Sequence, residues 1–161
     1  MMNEIYSELL CDIAIFGGMN QETINFILDD ALLVKKEPNQ YFFLENDIAE
    51  NMYILISGEV DVIKNRSDIQ FPIAKLSKGD CFGEIAILDH SPRSASVVCV
   101  KKCKALQIDI NCFDEIYHRD VKQFAMLQMN LGREVCRRLR EANELLFQNE
   151  VENQVSQIIS L

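Results

Sequence analysis

This sequence predicts a mainly β fold with flanking helices, closed as a double-stranded β-helix (jelly-roll) barrel and followed by one long C-terminal helix. Three observations carry that reading. Between residues 31 and 110, seven short segments read as strands, with turn residues between them at regular spacing. On both sides of this block the apolar period changes from that of a strand to that of a helix. Beyond residue 120, Phe124, Leu127, Leu131, Val135, Leu139, Ala142 and Leu146 step by three and four, a seam of nearly coiled-coil period.

The chain opens on a short amphipathic stretch, 1–12, which Gly17-Gly18 brings to an end. Asn20 is a good N-cap for a second helix over 21–30, with Ile24, Ile27 and Leu28 on one face. The strands follow at 31–36, 41–44, 51–57, 59–64, 70–76, 94–100 and 104–110. Glu59-Val60-Asp61-Val62 and Leu106-Gln107-Ile108-Asp109-Ile110 alternate polar and apolar, as half-buried strands do. The breaks carry Glu37-Pro38-Asn39, Ser57-Gly58, Asn65-Arg66-Ser67-Asp68 and Lys78-Gly79-Asp80. Asn111 then caps a short helix through His118, and Asp120 starts the long one.

Opposite charges at Glu134 and Arg138, and at Arg137 and Glu141, support the long helix at i,i+4 spacing. After Gln148 the pattern thins, and Val151, Val155, Ile158 and Ile159 either continue the helix or form a loose tail. A helix of roughly 28 residues is about 40 Å long, more than a domain of this size is wide. Its far part calls for a partner, and a second copy is the simplest one. The chain divides into an N-terminal helical segment 1–30, a barrel 31–118, and a helix and tail 119–161.

Composition narrows the function. With 161 residues and 48% hydrophobic content the chain holds one domain and an appendage. A net charge of −9 argues against a binder of phosphate backbones. Arg133, Arg137, Arg138 and Arg140 are interleaved with Glu134, Glu141 and Glu144, so they read as a self-paired helix face. Residues 1–34 contain no Lys or Arg, which removes the basic start of a signal peptide. The longest uncharged stretch, 123–132, is far short of the ~20 residues of a membrane span. These features predict a soluble, cytoplasmic protein.

Six cysteines, Cys11, Cys81, Cys99, Cys103, Cys112 and Cys136, form no C-x-x-C pair, and His90 and His118 are the only histidines. That spacing predicts no metal site, and most of the thiols read as small buried hydrophobes. Cys99 and Cys103 bracket Val100-Lys101-Lys102, which reads as a strand-to-strand turn. No nucleophile–base pair or metal cluster suggests an enzyme.

The chemistry concentrates in 82–97, Phe82-Gly83-Glu84-Ile85-Ala86-Ile87-Leu88-Asp89-His90-Ser91-Pro92-Arg93-Ser94-Ala95-Ser96-Val97. Gly83 permits a tight turn into a short helix and close approach of a ligand to backbone. Glu84 starts that helix, where a carboxylate suits both the dipole and a hydroxyl donor. Ile85 to Leu88 are apolar and are expected to pack on the barrel, with the N–H groups of Ile85 and Ala86 facing a ligand. Pro92 biases the chain so that Arg93 turns back toward the helix start, among the small residues Ser94 and Ala95.

By residue type and spacing this run resembles the phosphate-binding cassette of the cyclic nucleotide-binding domain family, which includes bacterial cAMP receptors, kinase regulatory subunits and nucleotide-gated channels. Asn51 to Val60, the turn Gly79-Asp80-Cys81-Phe82 and Val135-Cys136-Arg137-Arg138-Leu139 extend the resemblance over roughly 10–148. It implies that Glu84 accepts the ribose 2′-hydroxyl and that Arg93, with Ser94 and Ala95, holds the phosphate. It implies base contacts from the long helix, where Arg138 matches an arginine of the bacterial receptors and the hydroxyl positions fall on Ala142 and Asn143. The ligand so implied is cAMP, with cGMP as the alternative.

The expected output is a regulatory sensor, a homodimer through its long helix, acting through dimer geometry or through an unidentified protein partner. A structural dimer that binds no nucleotide is the competing reading. The bacterial receptors continue into a helix-turn-helix DNA reader, and too few residues follow this helix for one, so direct DNA binding is not expected.

Overall fold

The computed structural model describes the backbone of residues 2–67 and 69–159, and side chains from 6 to 156 except 68. Expectations for Met1, for Asp68 and for the last two residues of the tail lie outside the described residues. The elements are α1 (Met2–Cys11), a 3₁₀ turn (Ala14–Phe16), α2 (Gln21–Asp30), β1 (Leu32–Lys36), β2 (Tyr41–Phe43), β3 (Asn51–Arg66), β4 (Ile69–Leu76), β5 (Cys81–Phe82), α3 (Glu84–Asp89), β6 (Ser96–Asp109), α4 (Ile110–Arg119) and α5 (Val121–Ile159).

Two long strands organise the roll. β3 and β6 lie antiparallel side by side, from Asn51 opposite Asp109 to Ile63 opposite Ser96. Each then serves two shorter neighbours, one per half: β3 pairs with β5 and β4, β6 with β1 and β2. The expected breaks at Ser57-Gly58 and Val100-Lys101-Lys102 are therefore not turns. They are irregularities at which both strands bend without ending, with register shifts between Leu55 and Val60. Gly58, at φ +97°, allows the bend, since a Cβ there would sit 2.5 Å from the Lys102 carbonyl oxygen.

The run Met52–Ile56 is apolar at every position because both faces of this strand are covered. Met52, Ile54 and Ile56 pack with Leu10, Phe16, Ile24, Ile27, Phe113, Leu127 and Leu131 under the helices. Tyr53 and Leu55 point the other way, into an inner cluster with Phe42, Val60, Leu76, Phe82 and Val97.

Both predicted caps near the helices are informative. Asn20 accepts from the Thr23 N–H at 2.8 Å, as expected. α4 is capped by Asp109, which accepts from the Asn111 N–H at 2.8 Å, so that helix starts one residue before the predicted Asn111 cap. Asp120 accepts from the N–H groups of Lys122 and Gln123 and opens α5.

α5 is longer than expected, 39 residues, or about 58 Å. Its first turns are tied down by Asn130, which is buried and donates to the carbonyls of Ile15 at 3.1 Å and Gly17 at 2.8 Å. Leu127 and Leu131 are buried, but Leu139, Leu145, Leu146 and Phe147 are each more than half exposed. No described helix is long and apolar enough to cross a membrane.

Candidate functional site

Three segments converge on one cleft. β5 is followed by Gly83, whose φ of +81° swings the chain into α3. A Cβ on Gly83 would lie 2.6 Å from Arg93 Nη1, so glycine serves both the turn and the close approach of the guanidinium. α3 is six residues long, Glu84–Asp89, and is capped by His90 in the left-handed region, φ +55°. The loop that follows is clamped by backbone bonds, Arg93 N–H to the Asp47 carbonyl and Asn46 N–H to the Arg93 carbonyl, both 2.9 Å. Ser96, not Ser94, begins β6, so Arg93 to Ala95 belong to the loop.

Arg93 is the centre of the site. Its side chain turns back as predicted, donating from Nη1 to the Gly83 carbonyl at 2.8 Å. Nη2 donates to the Asn51 backbone oxygen at 2.6 Å and to its Oδ1 at 3.0 Å. The guanidinium lies 4.0 Å from the Phe43 ring centroid, a cation–π contact. Arg93 is only 3% exposed. Among the described residues no carboxylate hydrogen-bonds to it, and its buried Nε has no partner. Burial works against its charge and lowers its pKa. A cation so placed, with neutral acceptors on its edges, is an incomplete arrangement that an anion completes.

Glu84 is 2% exposed. Burial raises its pKa, and the Arg138 guanidinium opposes that rise. Arg138 reaches across from α5: Nη1 donates to Glu84 Oε1 at 2.9 Å, Nη2 to the Cys81 carbonyl at 2.6 Å, and Nε to Glu134 Oε1 at 2.8 Å. Burial opposes the Arg138 charge, but Glu84, Cys81 and Glu134 outweigh it, and its pKa stands above the ordinary arginine value. The predicted pair of Glu134 and Arg138 is thus formed, and it steers Arg138 toward α3.

The resulting cleft encloses about 400 Å³, part of it open to solvent. Gly83, Glu84, Ile85, Ala86, Arg93, Ser94, Ala95 and Arg138 all line it. Asn143 does not; it is exposed farther along α5. Ile85 departs from its expected packing: its side chain is 41% exposed at the cleft, whereas Ala86 and Ile87 are buried. A helix as short as α3 buries one stripe only, and Ile85 falls outside it. Phe43 and Asn51 were missed from the sequence. Asn51 is 42 positions from Arg93, and nothing local marks such a contact.

The family model of the cyclic nucleotide-binding domain matches residues 33–120. The chain belongs to that family. A cAMP-dependent protein kinase type II regulatory subunit from Drosophila melanogaster is 33% identical over 116 residues, covering 70% of this chain and 30% of the relative. The cyclic AMP receptor protein of Thermus thermophilus is 29% identical over 146 residues, covering 88% of this chain and 66% of the relative. The chain therefore spans less than two thirds of either relative. Among solved structures, a cyclic nucleotide-binding domain from Methylobacillus flagellatus superposes with a TM-score of 0.81 at 21% identity, covering 92% of this chain and 84% of that one. The jelly-roll architecture with a long C-terminal helix is that of the family.

Proposed function

We propose that this domain binds cAMP without turning it over, and passes occupancy to α5. The observation that carries this reading is Arg93: a buried guanidinium over the Phe43 ring, at the lining of the cleft, whose Nε has no partner. The cyclic phosphate completes it, with Ser94 and Ala95 beside it and the first N–H groups of α3, from Ile85 and Ala86, close by. Glu84 accepts the ribose 2′-hydroxyl. Relatives named for cAMP support the choice of base, with cGMP as the alternative.

Transmission runs through Arg138. It bridges α3 and α5, so a ribose hydroxyl on Glu84 competes with or joins the Glu84–Arg138 contact. The ligand shifts the position of α5 by its difference in affinity for the two arrangements. We infer a homodimer along α5, because Leu139, Leu145, Leu146 and Phe147 are exposed on its outer part. In that dimer Asn143 of the second copy supplies the base contact, since in its own chain it stays away from the cleft. A downstream protein partner would read the α5 geometry. We treat 1–30, 31–118 and 119–161 as the three working segments, with the ligand held by the middle one.

Calorimetric titration with cAMP and with cGMP, on the wild type and on Arg93→Ala, tests the reading. Saturable binding of one nucleotide, lost by roughly 2–5 kcal/mol or more in the variant, is the expected result. A folded protein that takes up neither nucleotide overturns it and leaves the non-binding dimer.

A further inference from the structure

Away from the cleft, β6 carries two thiols that the nucleotide reading does not use. In a regular strand, residues four apart stand about 13 Å from each other. Here the irregular segment around Val100 and Lys101 brings Cys99 and Cys103 together. Cys99 Sγ donates to the Lys101 carbonyl at 3.1 Å and Cys103 Sγ to the same oxygen at 2.9 Å. The shared carbonyl oxygen therefore holds the two sulfurs as near neighbours. Each sulfur has a second acceptor on a neighbouring strand, Lys36 of β1 for Cys99 and Glu59 of β3 for Cys103. Gly58 makes room for the pair, since its missing Cβ would lie 2.8 Å from Cys103 Sγ.

The other thiols provide an internal contrast. Cys81 and Cys112 are buried, and Cys11 and Cys136 are exposed; among the described residues only Cys99 and Cys103 share a hydrogen-bond acceptor. A packing role asks only for a small apolar side chain and does not require two sulfurs on one carbonyl.

We propose that Cys99 and Cys103 form a dithiol site that a hydroperoxide converts into an intramolecular disulfide. The balance is simple. The first sulfur, as thiolate, attacks the terminal peroxide oxygen; the O–O bond breaks, and the alkoxide leaves as the alcohol after taking a proton. The resulting sulfenic acid is attacked by the second sulfur, the S–S bond forms, and water leaves. Two thiols are oxidised by two electrons, and the hydroperoxide is reduced to alcohol and water.

Burial sets the rate. Both thiols are almost fully covered, so an oxidant reaches neither in the closed fold, and burial pushes the Cys103 thiol up to about 12. The cover is thin, because Val100, Lys101 and Lys102 are all exposed. Local opening of that bend exposes the sulfurs to a small oxidant. The site is therefore slower than an exposed thiol and faster than an isolated buried one.

The test uses the whole chain, folded, with Cys11→Ser and Cys136→Ser to remove the exposed thiols. After exposure to tert-butyl hydroperoxide, free thiols are alkylated in denaturant and tryptic peptides are analysed by mass spectrometry. The expected product is the peptide ending at Lys101 linked to the one carrying Cys103, two hydrogens lighter than the separate peptides, with Cys81 and Cys112 still alkylated. Dithiothreitol returns both thiols. The same experiment on the unaltered chain gives the same linked peptide, which covers the case in which the background variant folds poorly. Cys99 and Cys103 reacting no faster than Cys81 and Cys112, or linking only in urea, overturns the proposal. Nucleotide binding plays no part in the readout, so failure of the cAMP reading leaves this test intact.

Discussion

Glu84 and Arg138 are 54 positions apart in the chain and 2.9 Å apart in the fold. The contact joins α3, at the cleft, to α5, the helix that leaves the barrel. It is asymmetric: the carboxylate is almost fully buried, while the guanidinium keeps 23% side-chain exposure and two further acceptors. Removing Arg138 therefore leaves the costlier partner behind. Arg138→Ala is expected to destabilise the fold by about 3 kcal/mol, the low end for a broken buried pair because water reaches this one. Chemical denaturation measures it. The double variant Glu84→Gln, Arg138→Met is expected to recover most of that loss without restoring nucleotide binding.

The pH dependence of stability follows from Glu84. Its folded pKa lies above the ordinary 4.5, chiefly through burial and despite Arg138. The folded state then holds this proton more tightly than the unfolded state does, and the favourable contribution is fully present below 4.5. It is lost as pH rises from there through the folded pKa. Thermal melts of wild type and Glu84→Gln across the acid-to-neutral range should show wild type losing ground to the variant as pH rises. Parallel curves would mean that the carboxylate ionises in the fold at no cost.

Gly83 admits no side chain. Ala at this position meets both a left-handed backbone at φ +81° and Arg93 Nη1 at 2.6 Å. The backbone term costs about 1–2 kcal/mol, and the displaced guanidinium no longer fits a phosphate. Gly83→Ala is expected to weaken nucleotide binding roughly tenfold or more, about 1.4 kcal/mol, together with a modest drop in melting temperature. A variant that melts lower but binds with full affinity would show that Arg93 is positioned independently of Gly83.

Asn51 orients Arg93 through its side chain as well as its backbone. Asn51→Ala keeps the backbone acceptor and removes Oδ1. The loss in cAMP affinity should be about 1.5 kcal/mol, the low end for a hydrogen bond to a charged group. Calorimetry on the folded variant decides it, and unchanged affinity would assign the orientation to Phe43 and Gly83 alone.

The exposed apolar residues of α5 make the dimer testable. Leu139 and Leu146 are 58% and 66% exposed, and each full burial of a leucine contributes roughly 1.5–3 kcal/mol. Leu139→Glu with Leu146→Glu should convert a dimer to a monomer in sedimentation analysis while leaving the barrel's melting transition in place. A wild type that sediments as a monomer at high concentration refutes the homodimer directly.

The local signals were readable wherever a short segment decides its own conformation. Asn20 and Asp120 open their helices because a side-chain oxygen caps N–H groups only two or three residues away. Gly83, Glu84 and Arg93 were legible as one site because they fall within a single turn, a short helix and a loop. The strand breaks at Ser57-Gly58 and at Val100 to Lys102 were misread for the converse reason. Glycine and paired lysines look like turns locally, yet cross-strand hydrogen bonds carry β3 and β6 through both places as bends. The same pairing, invisible in spacing, brings Cys99 and Cys103 onto one carbonyl oxygen.

By itself the sequence determined the class of fold, the cassette and the identity of the charged residues that line the cleft, since these follow from side-chain chemistry and from periods of two and three to four residues. Only the tertiary structure decided how those charges are balanced. Asn51 and Phe43 reach Arg93 across the sheet. Arg138 reaches Glu84 because Asn130 ties α5 to the turn at Gly17 and Glu134 steers the guanidinium. Burial then sets the cost of each charge, and burial depends on which distant segments cover a residue, a quantity that no local stretch of sequence contains.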